Sequence, residues 1–338
     1  MWAGRVGPVL VLLFAVGCAA APQAGRATES PRLSGIRLLV GGTRIVDVDT
    51  GAATPVTGLP AEQRVTLTTT VHGPHTVIAA SGPGVNQVRL FLLKGSKAVE
   101  LASGWNAFPA ADGSGFWVTD QPEYGGPCTV REQAEDGTIL RRPKWSPCGA
   151  LPYADTPYGL HARHRRESLL LTHDGLRKTA RHPRIVAVTS TELLVERNDG
   201  RLALVVPGGE ERPVGRPSGT GVAAEGEVSS NGTYVAVPFL TPTPGAHESL
   251  DVWVLDTRTL AWTHVPSMPL PVDVKSRRMR WTPDGRLVLA GGFVTTADDH
   301  PRESDYASVV ALWRPGEATL TRHELPADWR ESLAILRP

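Results

Sequence analysis

The chain lacks a charge excess of either sign: 35 Lys and Arg stand against 34 Asp and Glu, a formal +1. No protein-wide field draws it to nucleic acid or to an anionic bilayer. Cysteine is nearly missing, with three in 338 residues. Apart from Cys18 only Cys128 and Cys148 remain, and no third or fourth ligand of zinc spacing lies near them. The motifs of common chemistries are absent too. There is no GxSxG elbow, no HExxH helix, no P-loop and no dinucleotide fingerprint, which removes the commonest hydrolase, metallopeptidase and nucleotide-binding signatures. Long apolar runs are confined to Val9 to Val16, too short to span a bilayer comfortably. With two-fifths of the residues apolar and one-fifth charged, the rest reads as ordinary globular material, enough for one large domain.

What is present begins with an export signal. Arg5 supplies the positive start, the apolar run follows, and small residues come after it. Ala15-Val16-Gly17-Cys18 resembles a bacterial lipobox, in which a Cys is lipidated and becomes the mature N-terminus. The resemblance implies a signal peptide over 1–18, lipid on Cys18, a tether of Ala, Pro, Gly, Ser and charge over 19–35, and a folded domain over 36–338 anchored to the outer face of a cell membrane. An ordinary signal peptide cut within Ala19 to Ala21, with Cys18 discarded, is the other reading. In an exported chain Cys128 and Cys148, flanked by Gly-Pro and Ser-Pro turns, are expected to form a disulfide. Closing that loop contributes roughly 3 kcal/mol in the chain-entropy model.

Two classes of turn then recur in phase. The first class appears at Thr50-Gly51, Gly95, Asp136-Gly137, Asp174-Gly175, Gly208-Gly209, Asp256-Thr257 and Pro315-Gly316, with a mean spacing of about 44 residues, the period of propeller blades. The second appears at Gly73-Pro74, Asp112-Gly113, Asn231-Gly232 and Asp284-Gly285, each followed by an apolar strand of the kind covered on both faces. Asp155 to Tyr158 and Thr189 to Glu192 stand where the corresponding turns of the two intervening units belong. The unit from Met279 to Pro326 shows the pattern of four strands most plainly. Seven such units predict an all-β, seven-bladed propeller; a pair of β-sandwiches is the rival. The first unit has three strands only, so Leu333 to Leu336 are expected to supply its innermost strand and close the ring. SSNGTYVAV and WTPDGRLVLAGG are similar to the core of WD40-like and TolB-like propeller repeats. No unit carries the full Gly-His and Trp-Asp signature, and sialidase-like Asp-box repeats are absent.

The innermost strands read TLTTTVH, NAFPAAD, ALPYAD, RIVAVTS, AAEGEVSS, RMRWTPD and SLAIL, mostly small or aliphatic. Glu225 and Glu227 share a face at alternate strand positions, weak as a general acid and base because no second pair stands opposite. Asp112 and Asp155 read as turn residues. Asp298-Asp299-His300 cannot all converge on one ion and reads as a solvated loop. No catalytic residue, metal site or cofactor is expected. From His161 to Arg184 seven Arg and Lys face only Glu167 and Asp174. Arg163, Arg165, Arg177 and Lys178 are candidates there for binding an anionic ligand, against the reading of a solvated edge that blocks strand pairing. Inserts at Gly82 to Gln87, Thr241 to Ser249 and Thr295 to Asp305 are expected on one rim. Together these features predict a binding or scaffolding module for a protein, glycan or small ligand, with no nucleic-acid partner. The alternative is a propeller hydrolase or lyase acting on cell-envelope or extracellular material.

Overall fold

The structure is a computed structural model. It describes residues 35–60, 66–72, 75–82, 88–120, 128–142, 151–156, 159–164, 167–172, 175–178, 184–206, 210–242, 248–272, 278–294, 306–326 and 333–336. Among the described residues every regular element is a β-strand. The strands form the seven blades of a propeller, all antiparallel within a blade. Blade two, Thr66–His72, His75–Ser81, Arg89–Lys94 and Lys97–Ser103 from the innermost strand outward, sets the pattern.

Blade one is composed from both ends of the domain, as expected. Leu333–Leu336 pair with Arg37–Val40, in the register Arg37 to Leu336 and Val40 to Leu333. Arg44–Asp47 and Ala53–Pro55 complete the blade. The turns that give the period take the predicted conformations: Gly95, Gly113, Gly137, Gly232, Gly285 and Gly316 all have positive φ, where a Cβ would be strained.

The core lies between blades rather than inside one layer. Along Arg37–Val40 the side chains alternate between neighbours: Leu38 and Val40 pack with Val288, Val310 and Leu312 of blade seven, and Leu39 packs with Ile78 and Phe91 of blade two. All are 4 % exposed or less except Leu312 at 6 %. Burial on both faces is why these strands are apolar runs instead of an alternating pattern. Each such leucine contributes about 1.5–3 kcal/mol on leaving water.

One strand was not foreseen. Leu270–Val272 runs beside Glu248–Leu250, the extended end of the third strand of blade six, and Val272 also pairs with Phe293 of blade seven. Those two blades therefore share one ten-stranded sheet. The strap is possible because the middle hairpins there are long, nine residues per strand in blade six and eight in blade seven, and overshoot the blades' outer strands. Within the three long connections, residues 83–87, 243–247 and 295–305 lie outside the described residues, Asp298, Asp299 and His300 among them.

Candidate functional site

The innermost strands fall where the sequence placed them, and blade six differs from the rest. Its strand next to the axis is broken: Val222 and Ala223 pair with Leu240 and Phe239, and Glu227 and Val228 pair with Ala236 and Val235. Residues 224–226 thus oppose only Val237 and Pro238, which is a β-bulge. The residues on either side build it. Pro238 has no N–H to offer the inner strand, and its carbonyl accepts the Ala224 N–H at 2.7 Å. Gly226 donates its N–H to the Val186 carbonyl of blade five at 2.7 Å. A Cβ on Gly226 would stand 2.7 Å from the Ala236 carbonyl oxygen, so only glycine allows that approach.

Glu225 is the middle residue of this bulge. It is exposed to water, yet burial pushes its carboxyl above the ordinary glutamate value, and burial is the whole cause. Both hold for a side chain that water reaches while the surrounding protein displaces part of the bulk solvent that would stabilise its charge. The expectation that Glu225 and Glu227 share a face of one strand is corrected by the bulge: Glu227 begins the second half of the strand. The Glu227 carbonyl accepts the Trp281 indole N–H of blade seven at 2.9 Å, and Trp281 stacks on Tyr234 with ring centroids 6.0 Å apart.

A second polar cluster joins blades three and four. Asp155 was read as a turn residue; instead it is the fifth residue of the strand Leu151–Thr156, and it reaches across to the neighbouring blade. One carboxylate oxygen accepts both the Trp117 indole N–H and the Ala111 backbone N–H at 2.8 Å. The other accepts the Thr156 N–H at 3.1 Å. Burial pushes this carboxyl up, against the three hydrogen bonds that pull it down. Arg141 lies over the Trp117 ring at 4.9 Å and pairs with Glu132, which also accepts the Ser114 hydroxyl. Asp112 does cap a turn, accepting the Ser114 N–H at 3.0 Å. The cluster satisfies its members internally, and its chemistry is that of a structural lock.

Of the basic candidates, Arg163 pairs with Leu151 and Ser168, Arg177 with Leu170, and Lys178 with Leu169. Arg177 and Lys178 are consecutive residues of the strand Gly175–Lys178. Arg165 lies outside the described residues, as do Cys18 and Cys148. Cys128 directly precedes the strand Thr129–Gln133. The signal that could have revealed the bulge is a Gly inside a strand pattern combined with a Pro in the strand opposite.

No match to the chain was found among protein-family models or among curated proteins. Among solved structures, the chain is similar to a protein of unknown function from Desulfotomaculum acetoxidans, at 10 % identity and a TM-score of 0.51 over 90 % of this chain and 100 % of that one. It is similar to the β-propeller domain of the Trilobed protease from Pyrococcus furiosus, at 8 % identity and a TM-score of 0.53 over 84 % of this chain and 88 % of that one. It is also similar to prolyl oligopeptidase B from Galerina marginata, at 12 % identity and a TM-score of 0.54 over 85 % of this chain and 45 % of that one. These likenesses are of fold. The Pyrococcus domain has an open velcro topology, whereas here Leu333–Leu336 close blade one.

Proposed function

We propose that this propeller is a binding or scaffolding module, held by lipid on Cys18 at the outer face of a cell membrane, that engages a protein, glycan or small ligand without making or breaking bonds. The isolation of Glu225 carries the reading. A general acid and base would be two groups that shift one another, and nothing but burial acts on Glu225. The Cys128–Cys148 disulfide belongs to the same proposal, being suited to an oxidising compartment. So does a basic edge at Arg163, Arg165, Arg177 and Lys178 that contacts anionic ligands. Nucleic acid is not among the proposed partners, since the charge is balanced.

Co-purification from detergent-solubilised membranes tests the core of it, with the wild type beside Cys18→Ser. The wild type is expected to partition with detergent and bring a stoichiometric partner, and the variant to be soluble. A variant that stays in the membrane fraction removes the anchor, and product formation that needs Glu225 replaces the binding reading with a hydrolase or lyase. For the basic edge, changing the four cations to Ser is expected to abolish salt-sensitive retention on an anionic resin; unchanged retention dismisses it.

A further inference from the structure

The acids described in this fold divide by what their oxygens do. Asp47, Asp112, Asp136 and Asp199 accept backbone N–H groups in turns. Glu132, Asp155 and Glu196 accept side-chain donors from another strand or blade. Asp49, Glu210 and Glu324 do neither, but they lie in outer turns and strands; Glu225 does neither on the innermost strand, and among the described residues no hydrogen bond or ion pair involves it. Yet the backbone is arranged to place it, with an extra residue beside the axis, a glycine that has no room for a Cβ and a proline that withholds its N–H. Such a bulge disrupts the ladder, and partial desolvation disfavours the charged form of a carboxylate that has no partner. No contact inside the chain offsets either.

We propose that the Glu225 bulge is the seat for a cationic nitrogen group, a guanidinium or a protonated amine, that enters the channel beside blades five, six and seven. An ionised carboxylate has acceptors only, so its complement is a donor. A guanidinium presents two parallel N–H groups in the fork that a carboxylate matches. Walls of low dielectric strengthen that pairing relative to water. A divalent metal calls for several oxygen or nitrogen ligands converging, and Glu225 stands alone. The charged residues on this and the flanking inner strands are Glu227, Arg184, Arg278 and Arg280. Arg184 is paired with Glu196, the other three have interactions of their own, and none contributes to the Glu225 shift.

This inference rests on the binding reading, and its test is separate from the membrane test, because an isotherm in solution does not depend on lipid or on a co-purified partner. The full chain is titrated calorimetrically with methylguanidine and with an arginine-containing tripeptide, each against its neutral urea counterpart, methylurea and the citrulline tripeptide. Saturable one-to-one binding of the cations is expected, with a preference over the neutral forms that Glu225→Gln reduces by about tenfold or more. Glu225→Asp, which keeps the charge, is expected to retain the preference, so a poorly folded variant cannot imitate the result. Equal affinity of wild type and Glu225→Gln, or of cation and urea, overturns the proposal. Tighter binding of the tripeptide than of methylguanidine assigns the cation to a polypeptide side chain; equal binding assigns it to a free small molecule.

Discussion

Blades six and seven are joined in one manner and blades three and four in another. Between six and seven the contact is apolar and main-chain. Leu250, Val252, Val254, Trp281, Leu289 and Trp313 share one cluster, and the strap Leu270–Val272 carries the hydrogen-bonded sheet across the boundary. Between three and four the apolar cluster is small, Ala110, Trp117, Val130, Leu160 and Leu171, and Asp155 takes over part of the task through its bonds to Trp117 and Ala111, with Arg141 and Glu132 paired inside blade three beside Trp117. The difference teaches that equivalent radial seams can be sealed by area or by hydrogen bonds to a titratable group. A seam sealed by area is indifferent to protonation and sensitive to cavities; a seam that depends on a titratable group responds to protonation.

Substitutions at four positions break or sharpen that contrast. Trp281→Ala is expected to cost the most, about 4 kcal/mol, because it empties the six–seven cluster and leaves the Glu227 carbonyl without its indole donor. Its urea midpoint should fall by the same amount at every pH. Arg141→Ala is expected to cost about 3 kcal/mol, since the Glu132 side chain is only 2 % exposed and would lose its ion-pair partner. An unchanged urea midpoint would show that the Arg141–Glu132 pair does not hold the outer strands of blade three.

Asp155→Ala follows at about 2 kcal/mol, for the three donors it leaves without their acceptor. Asp155 also gives the seam a pH signature. Its folded value lies above the unfolded one, so the stabilisation by the protonated acid is complete below the unfolded value and is lost as pH rises through the folded one. Asp155→Asn is therefore expected to flatten the stability profile on the alkaline side of the ordinary aspartate range, and a profile parallel to wild type would refute the assignment. The smallest effect is expected at Glu225→Gln. Glu225 too is raised, so the same sign applies: the variant should unfold at a slightly higher temperature than wild type at neutral pH, with the gap closing as pH falls. A midpoint below that of wild type at neutral pH would mean that Glu225 has a stabilising partner.

The blades were legible because each turn is a local event. Asp-Gly, Asn-Gly and Pro-Gly pairs need only their own backbone conformation, so their spacing in the sequence is their spacing in the ring. The closing strand was legible by subtraction, since the first unit lacked one. What could not be read depends on partners distant in sequence. Asp155 looked like a turn residue because its donor, Trp117, is 38 positions away. Glu225 and Glu227 looked like alternate positions of one strand because the slip between them is set by Pro238 and by the approach of Gly226 to Ala236. The strap Leu270–Val272 carries two breaking signals, Pro269 just before it and Pro271 within it, and pairs only because two overlong hairpins stand beside it. The basic run was legible as a run, but the register that sets Arg177 opposite Leu170 and Lys178 opposite Leu169 was not.

The strap has one more consequence. In a ring of wedges every joint is a place to flex, but a joint crossed by main-chain hydrogen bonds opens only if a sheet tears. Blades six and seven therefore form a single double-width sector, and the Gly226 N–H ties the bulge of that sector to blade five through the Val186 carbonyl.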